Sequence, residues 1–418
     1  MTALPSGTAR YAWVFLLPVL PLCLVGVLTI HATDSSQYSS WISPAAFKQI
    51  QFVLIGLAGM AIVLIVGYQR LGRAAFPLFV ICLMLLALLI LDRWVNLSFV
   101  EPRRNARRWL LIAGQQIQPS EIMKIGYVLA VAWYLRYRRN YRTLGGLIAP
   151  FLITLIPMVL ILLQPDLGTV LLFLPVLFAM LFVAGARLKH LTVIILLGLL
   201  CAPIFFLKIR DYQRLRITGV LLQSTLLRDY FTDHPEHWDA LRSRGTDQGA
   251  WWIELTDWKT HGGMQLLHGK AAIGSGGFGG QGWGRGTFVE HNLIPEKHND
   301  FIFAMIAHQW GLVGSLLLVL CYVCLVVIAF EVAALTDDPF GRLLAVGLGT
   351  MIAVQTLTNL CMTVGLGPIT GVTLPFVSAG GSSLLANFLS LGLLASVAHR
   401  RPMLIANKPF EFDDDGGE

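Results

Sequence analysis

The sequence predicts an all-α polytopic membrane protein with about ten transmembrane helices, and three observations predict it. Hydrophobic residues make up 56% of the 418 residues and charged residues only 13%, whereas soluble domains carry roughly 25% charged residues. The mean hydropathy is +0.67. The chain also contains ten separate apolar runs, most of them near the ~20 residues that one membrane-spanning helix requires. These observations exclude a soluble globular protein.

The ten predicted spans are joined by short basic connections on one side and by three substantial loops on the other, the longest of them from about residue 208 to 300. The spans cover residues 11–31, 52–68, 75–91, 119–137, 144–163, 167–186, 191–207, 301–332, 343–364 and 382–397. We therefore divide the chain into helices 1–7 (residues 1–207), a large extracytoplasmic loop (208–300), helices 8–10 (301–398) and an acidic cytoplasmic tail (399–418).

Basic residues in the short loops predict the orientation, because cytoplasmic loops carry an excess of lysine and arginine. The loops near residues 10, 70–73, 136–142, 187–189, 342 and 400 are basic and all fall on one side. We therefore expect an inner-membrane protein with both termini in the cytoplasm. The net charge of +7 favours membrane lipid headgroups or phosphates as partners and not nucleic acid, because no soluble basic domain exists to bind it.

One opposite-side loop breaks this rule, since it contains Arg107 and Arg108 beside Trp109. Glu121 and Lys124 follow, three residues apart at the start of a predicted span, so they lie one above the other. Charges at membrane depth are costly and usually functional. The pair is either a structural ion pair or part of a site, and the neighbouring guanidinium groups favour a site for a lipid-linked phosphate.

Two aspartates stand at the boundaries of predicted spans. Asp166 lies in a tight turn, where we favour helix capping over direct chemistry. Asp300 lies where the long loop re-enters the membrane, where partial desolvation would raise the pKa of a carboxylate toward that of a useful base. The alternative for Asp300 is again a helix cap. His291 and His298 lack the spacing of a four-ligand metal site, so no metal site is assigned.

Two glycine-rich segments complete the pattern. Residues 274–279 match GxGxxG by letter but lack the preceding strand of a dinucleotide-binding unit, so the glycines indicate close backbone packing. In residues 374–383, Ser378, Ser382 and free backbone N–H groups could bind an anion. A close helix-packing turn explains that second segment equally well.

Seven segments, taken in order, resemble the SEDS family (shape, elongation, division and sporulation proteins). They are residues 106–109, 118–124, 164–169, 211–216, 272–277, 295–304 and 374–383. The resemblance implies a peptidoglycan glycosyltransferase that works beside a class B penicillin-binding protein. It also implies that Asp300 is the family's essential external aspartate and that Arg107, Arg108, Glu121, Lys124 and Asp166 occupy other positions on which the family depends.

The chain departs from the family pattern at several positions. They are His268, Gly269, Asn299, His308, Gln309 and Ala379, together with extra sequence between about residues 219 and 262. These departures leave open whether the role is elongation or division and whether the glycan substrate diverges.

The implied reaction requires a base, cations and a groove for the lipid. Asp300 is the candidate base for a sugar hydroxyl of lipid II that attacks the growing glycan strand. The leaving pyrophosphate needs cations, for which the candidates are Arg107, Arg108, Arg214 and Arg216. No cofactor is assigned, and a divalent cation such as Mg²⁺ is a further candidate. The alternatives are a lipid II flippase, which intramembrane Glu121 and Lys124 would suit, and a non-catalytic activator of the penicillin-binding protein.

Overall fold

The fold is a bundle of long helices, as the sequence predicts. The computed structural model describes residues 14–34, 41–95, 100–103, 106–112, 114–138, 142–208, 220–234 and 263–399. The helices before the long loop are α1 (Leu16–Asp34), α2 (Pro44–Val66), α3 (Tyr68–Arg73), α4 (Ala75–Val95), α5 (Pro119–Leu135), α6 (Leu144–Leu163), α7 (Leu167–Ala184) and α8 (Leu188–Lys208). Those from the loop onward are α9 (Thr225–Asp233), α10 (Met264–Gly276), α11 (Thr287–Glu290), α12 (Ile302–Ala334), α13 (Pro339–Val364) and α14 (Gly381–His399).

Ten long helices coincide with the ten predicted spans, and the chain is a multi-pass membrane protein. Among the described residues, eight helices are long and apolar enough to cross a membrane, namely α1, α2, α4, α6, α7, α12, α13 and α14. The other two are α5, which has 17 residues and carries Glu121 and Lys124, and α8, whose described apolar part is Leu188–Cys201.

Local sequence explains where several helices begin and end. The side chains of Ser43, Thr143 and Asp338 each accept a hydrogen bond from a backbone N–H in the first turn of the helix that follows. Such caps satisfy N–H groups that have no partner within the helix. Gly185 and Gly365 end α7 and α13 in the left-handed conformation, which glycine adopts without steric cost.

Helix α5 lies at the centre of the bundle, packed against α4, α6, α7, α13 and α14. All but three of its residues are buried. By contrast, α2, α6 and α8 expose leucine and isoleucine side chains, which is the pattern of helices that face lipid. The central position of α5 explains why polar groups in its first turns are shielded from lipid.

The connection between α4 and α5 forms a small antiparallel sheet that the sequence did not predict. Its strands are β1 (Val100–Arg103), β2 (Ala106–Ile112) and β3 (Gln115–Ile117), in the order β1-β2-β3. Leu110 of β2 pairs with Val100 on one side and Ile117 on the other. Because neighbouring side chains of a strand point to opposite faces, this sheet directs Arg107 and Arg108 in different directions.

The glycine-rich loop of residues 277–286 packs into a break in α12. The break is at Gly311, whose φ of 65° and ψ of −159° suit only glycine. Here the loop satisfies the backbone groups that α12 leaves free: the N–H groups of Gln281 and Gly282 donate to the carbonyl oxygens of His308 and Gln309 at 2.9 and 3.0 Å. In return, Leu312 and Val313 donate to the carbonyl oxygens of Gly277 and Phe278 at 2.9 and 3.3 Å.

This packing gives local detail within residues 208–300, whose extracytoplasmic location stays a prediction. In this segment, α10 and the glycine-rich loop lie along the first turns of α12. The physical reason is the close approach of two backbones: a Cβ atom at Gly276 or Gly280 would overlap a carbonyl oxygen of α12. The expectation that these glycines mark close backbone packing is confirmed.

Candidate functional site

A buried ion pair lies at the start of α5. The Nζ of Lys124 is 2.9 Å from Oε2 of Glu121, and both side chains are buried. Lys124 also donates to Oε1 of Gln355 at 3.0 Å. Pro119 begins the helix, which places the pair in its first turns. A buried charge of this kind persists only when it is paired and hydrogen-bonded.

Two amides on α13 belong to this site, and the sequence analysis missed both. Gln355 donates to the carbonyl oxygen of Thr373 at 3.0 Å. Asn359 donates to the carbonyl oxygens of Val372 and Asp300 at 2.7 and 2.9 Å. Four residues separate the amides, which corresponds to about 6 Å along one helix face. The available signal was their spacing in an apolar helix, because polar side chains in a span are rarely incidental.

Helix α13 therefore joins the Glu121–Lys124 pair to the segment that carries Asp300. The side chain of Asp300 is partly exposed. Helix α12 begins with Phe301 as its N-cap residue and no side-chain cap. Asp300 directly precedes this N-cap residue, and its role as a base or as a helix cap stays a prediction.

The segment before Asp300 is held against α1. Lys297 donates from Nζ to the carbonyl oxygen of Thr33 at 2.6 Å, and Nδ1 of His298 lies 3.2 Å from Oγ1 of Thr33. Burial, followed by the charge of Lys297, lowers the pKa of His298 to about 4. Burial also lowers the pKa of Lys297. His298 is therefore a neutral imidazole at pH 7 that positions the segment.

Contacts from the last interhelical connection hold the same segment from the other side. Ser378 donates from Oγ to the carbonyl oxygen of Asn299 at 2.7 Å, and Ala379 donates from its backbone N–H to the carbonyl oxygen of His298 at 2.8 Å. Asn299 itself donates to Oε2 of Glu296 at 2.9 Å. Asn299 and Ala379, two of the departures from the family pattern, therefore both take part in the hydrogen bonds that hold the segment before α12.

Arg108 hydrogen-bonds to the turn between α6 and α7. Its Nε donates to the carbonyl oxygen of Gln164 at 2.8 Å, and Nη2 donates to the carbonyl oxygen of Pro165. Its Nη1 lies 3.9 Å from Oδ1 of Asp166. The guanidinium is partly exposed, so its charge can act on a ligand and is screened in part by salt.

Arg107 forms its ion pair with a different carboxylate, that of Asp92 in α4. Its Nη1 donates to Oδ2 of Asp92 at 2.6 Å, and Asp92 is buried. The hypothesis that Arg107, Arg108, Glu121 and Lys124 share one site stays a prediction, although Arg107 and Arg108 pair with different carboxylates. The alternation of side chains along β2 is the physical reason for the different pairings.

Asp166 connects the Arg108 pair to α5. Its carboxylate caps α7 by accepting hydrogen bonds from the backbone N–H and the hydroxyl of Thr169, and it also accepts from Gln118 at 3.0 Å and Ser120 at 3.1 Å. Ser120 directly precedes Glu121. The capping role that we favoured is the one observed.

The hydroxyl of Ser382 already has protein partners, as does that of Ser378. Ser382 accepts from the N–H of Gln118 at 3.0 Å and donates to the carbonyl oxygen of Gln116 at 3.1 Å. Ser378 also accepts from the N–H of Leu374. Both hydroxyls therefore hydrogen-bond one interhelical connection to another, as the packing-turn alternative expects, and anion binding by them stays a prediction.

Two of the predicted residues, Arg214 and Arg216, lie outside the described residues. Within the described ranges, no group of three or more His, Cys, Asp or Glu side chains is placed to hold a metal ion.

Comparison with known proteins shows the family to which the chain is similar. The model of the FtsW/RodA/SpoVE family, described as cell cycle proteins, matches residues 9–226 and 247–402. The unmatched residues 227–246 fall inside the extra sequence between residues 219 and 262. Peptidoglycan glycosyltransferase MrdB of Escherichia coli K12 is 32% identical over 406 residues, covering 97% of this chain and 99% of that protein. A probable peptidoglycan glycosyltransferase FtsW of Geobacter sulfurreducens is 30% identical over 400 residues, covering 94% and 96%.

Solved structures share the fold. A structure of a peptidoglycan synthase complex that coordinates polymerization and crosslinking contains a chain with 27% identity and a TM-score of 0.71, covering 94% of this chain and 98% of that one. The rod shape determining protein RodA of Thermus thermophilus has 27% identity and a TM-score of 0.62, covering 93% and 97%.

Proposed function

Because the chain belongs to the FtsW/RodA/SpoVE family of cell cycle proteins, we propose that it polymerises glycan strands from lipid II at the outer face of the cytoplasmic membrane. The protein is a peptidoglycan glycosyltransferase of cell wall synthesis. In our proposal Asp300 is the general base, and the polar pairs at the ends of β2, α5 and α7 organise the lipid pyrophosphate.

The observation that carries the proposal is the pair of amides on α13. Gln355 contacts Lys124, and Asn359 contacts the backbone of Asp300 one helical turn away. A candidate base and a buried cation are thus supported by one rigid helix. Rigid support of this kind is what positions reacting groups, and positioning alone contributes several kcal/mol to catalysis.

The proposed reaction is an inverting displacement. A sugar hydroxyl of lipid II attacks the anomeric carbon of the growing strand, Asp300 accepts the hydroxyl proton, and the bond to the lipid pyrophosphate breaks. The pyrophosphate leaves with both bonding electrons, and the guanidinium groups of Arg107 and Arg108 stabilise its charge. Both keep part of their side chain exposed, and Arg214 and Arg216 are further candidates for this role.

The proposal also covers the membrane location of the protein and its protein partner. The basic short loops support an inner-membrane protein with both termini in the cytoplasm, which leaves Asp300 on the outer side. The similarity to a chain in a peptidoglycan synthase complex that couples polymerization and crosslinking supports a class B penicillin-binding protein, a transpeptidase, as the partner.

The test is polymerisation by the purified protein in lipid vesicles. Fluorescent lipid II is supplied alone and with the partner transpeptidase, and products are separated on a gel. We expect glycan polymer with the wild type and none with Asp300→Asn. Movement of lipid II across the bilayer without polymer under both conditions would favour the flippase alternative. Polymer formed equally well with Asp300→Asn in the presence of the partner would favour the non-catalytic activator.

A further inference from the structure

The glycine-rich loop of residues 277–286 carries large apolar side chains on an exposed edge. Phe278 is 75% exposed and Trp283 is 49% exposed. Next to them on α12, Leu312, Val313 and Leu316 are also exposed. Hydrogen bonds join the loop to α12 at Leu312 and Val313, so Phe278 lies beside the exposed side of that span, while Trp283 lies beside α1.

Two contacts give the depth of this surface. The indole N–H of Trp283 donates to the carbonyl oxygen of Leu28 at 3.1 Å, six residues before the end of α1 at Asp34 and so about 9 Å along the helix axis. On the other side, Gly277 accepts from Leu312, which lies directly after the break at Gly311 and ten residues after the start of α12. The loop thus contacts α1 and α12 at positions that lie inside the two helices and away from their ends.

We propose that residues 277–286 form a re-entrant membrane anchor whose tip, Phe278 and Trp283, contacts the acyl chains of membrane lipid near the headgroup boundary. Irregular backbone is tolerated at membrane depth only where its polar groups have partners, and the broken turn of α12 supplies them. Tryptophan is enriched at this boundary because its ring is apolar and its N–H is polar, and here the N–H is bonded to α1.

The anchor would fix the depth of the site. The loop follows α10, which packs on α12 and α13, and it precedes residues 291–300, which end at Asp300. Seating the tip in lipid therefore holds this segment at a constant level relative to the bilayer. The inference concerns the lipid-facing surface and does not depend on the chemistry proposed for Asp300.

Photocrosslinking in vesicles tests the proposal. The full-length protein carries p-benzoylphenylalanine at one position and is reconstituted in phosphatidylethanolamine and phosphatidylglycerol. The test position is Phe278, where the replacement is close in shape and the side chain is exposed. Leu316 on the exposed face of α12 is the lipid-contact control, and exposed His291 in the returning segment is the water-contact control.

After irradiation, mass spectrometry measures the fraction of protein carrying a phospholipid adduct. We expect the yield at Phe278 to approach that at Leu316 and to exceed that at His291 severalfold. A yield at Phe278 equal to that at His291 would overturn the proposal. A second outcome would also overturn it. If adding the partner transpeptidase removed the lipid adduct at Phe278 but not at Leu316, and the transpeptidase were crosslinked at Phe278 instead, the surface would be a protein-docking site.

Discussion

Asn359 donates two hydrogen bonds from the same Nδ2 atom, to the carbonyl oxygen of Asp300 at 2.9 Å and to that of Val372 at 2.7 Å. The side chain is fully buried. One amide on α13 thus joins the segment before α12 to the connection before α14. Asp300 is held in place by a neighbour 59 residues away in sequence.

Replacing Asn359 tests this connection. Asn359→Leu keeps the approximate volume but leaves two carbonyl oxygens without their donor, which costs about 1–3 kcal/mol for each buried group left unsatisfied. We expect kcat for polymerisation to fall more than KM changes, because the base is displaced while the substrate surface stays intact. Cys361→Ser on the same helix is the matched control, and wild-type kcat in Asn359→Leu would contradict the positioning role.

Replacing the candidate base tests the chemistry. Asp300→Asn should lower the polymerisation rate about 10²–10⁴-fold, the usual cost of losing a general base, while lipid II binding and the melting temperature in detergent stay near the wild type. Asp233→Asn, an exposed carboxylate at the end of α9, makes the same chemical change away from the site. A wild-type rate in Asp300→Asn would remove this residue from the mechanism.

The Glu121–Lys124 pair allows a double-mutant test. Lys124→Met leaves a buried carboxylate without its cation, which should cost about 3–5 kcal/mol of unfolding free energy. The double variant with Glu121→Gln and Lys124→Met should recover most of that stability but stay inactive, because both charges are gone. Denaturant unfolding and the polymerisation assay measure the two effects. Polymerisation activity in the double variant would show that the Glu121–Lys124 pair has a structural role only.

The arginines of β2 should bind the lipid pyrophosphate electrostatically. We expect Arg108→Gln and Arg107→Gln each to weaken binding of fluorescent lipid II, with a loss that shrinks at high salt because partly exposed charges are screened. Arg73→Gln, at the end of α3 on the opposite side of the bundle, makes the same charge change and serves as the control. Equal losses at low and high salt would indicate a structural contribution alone.

His298 should make stability depend on pH. Burial lowers the pKa of His298 to about 4, below the ordinary value near 6.5, so the folded state favours the neutral ring. Stability is then fully present above about pH 6.5 and falls as the pH drops toward 4, by at most about 3 kcal/mol. The neighbouring charged groups, Lys297, Asp34 and Glu296, contribute smaller effects.

The matched variant for this prediction is His298→Gln, which keeps hydrogen-bonding capacity but does not titrate. Its unfolding free energy, measured from pH 7.5 to 4.5, should decline less than that of the wild type. Parallel curves for the two proteins would show that His298 does not carry the pH dependence.

Much of this protein is determined by its sequence alone. Ten apolar runs gave ten long helices, since hydrocarbon thickness sets helix length, and the i, i+3 spacing of Glu121 and Lys124 gave the observed ion pair. The cap at Asp166 and the close packing of the glycine-rich run could also be predicted, because both depend on local backbone chemistry. Asp300 was singled out by its position at a span boundary.

Only the tertiary structure decided how these pieces meet. The sheet at β1–β3 separates Arg107 from Arg108, and no local pattern indicated that turn of the chain. Gln355 and Asn359 become important because residues 300 and 372–373 reach the same face of α13, and such long-range proximity is not encoded in any short segment. The break at Gly311 likewise requires a second backbone, that of residues 277–282, to supply the hydrogen bonds that an unbroken helix would make for itself.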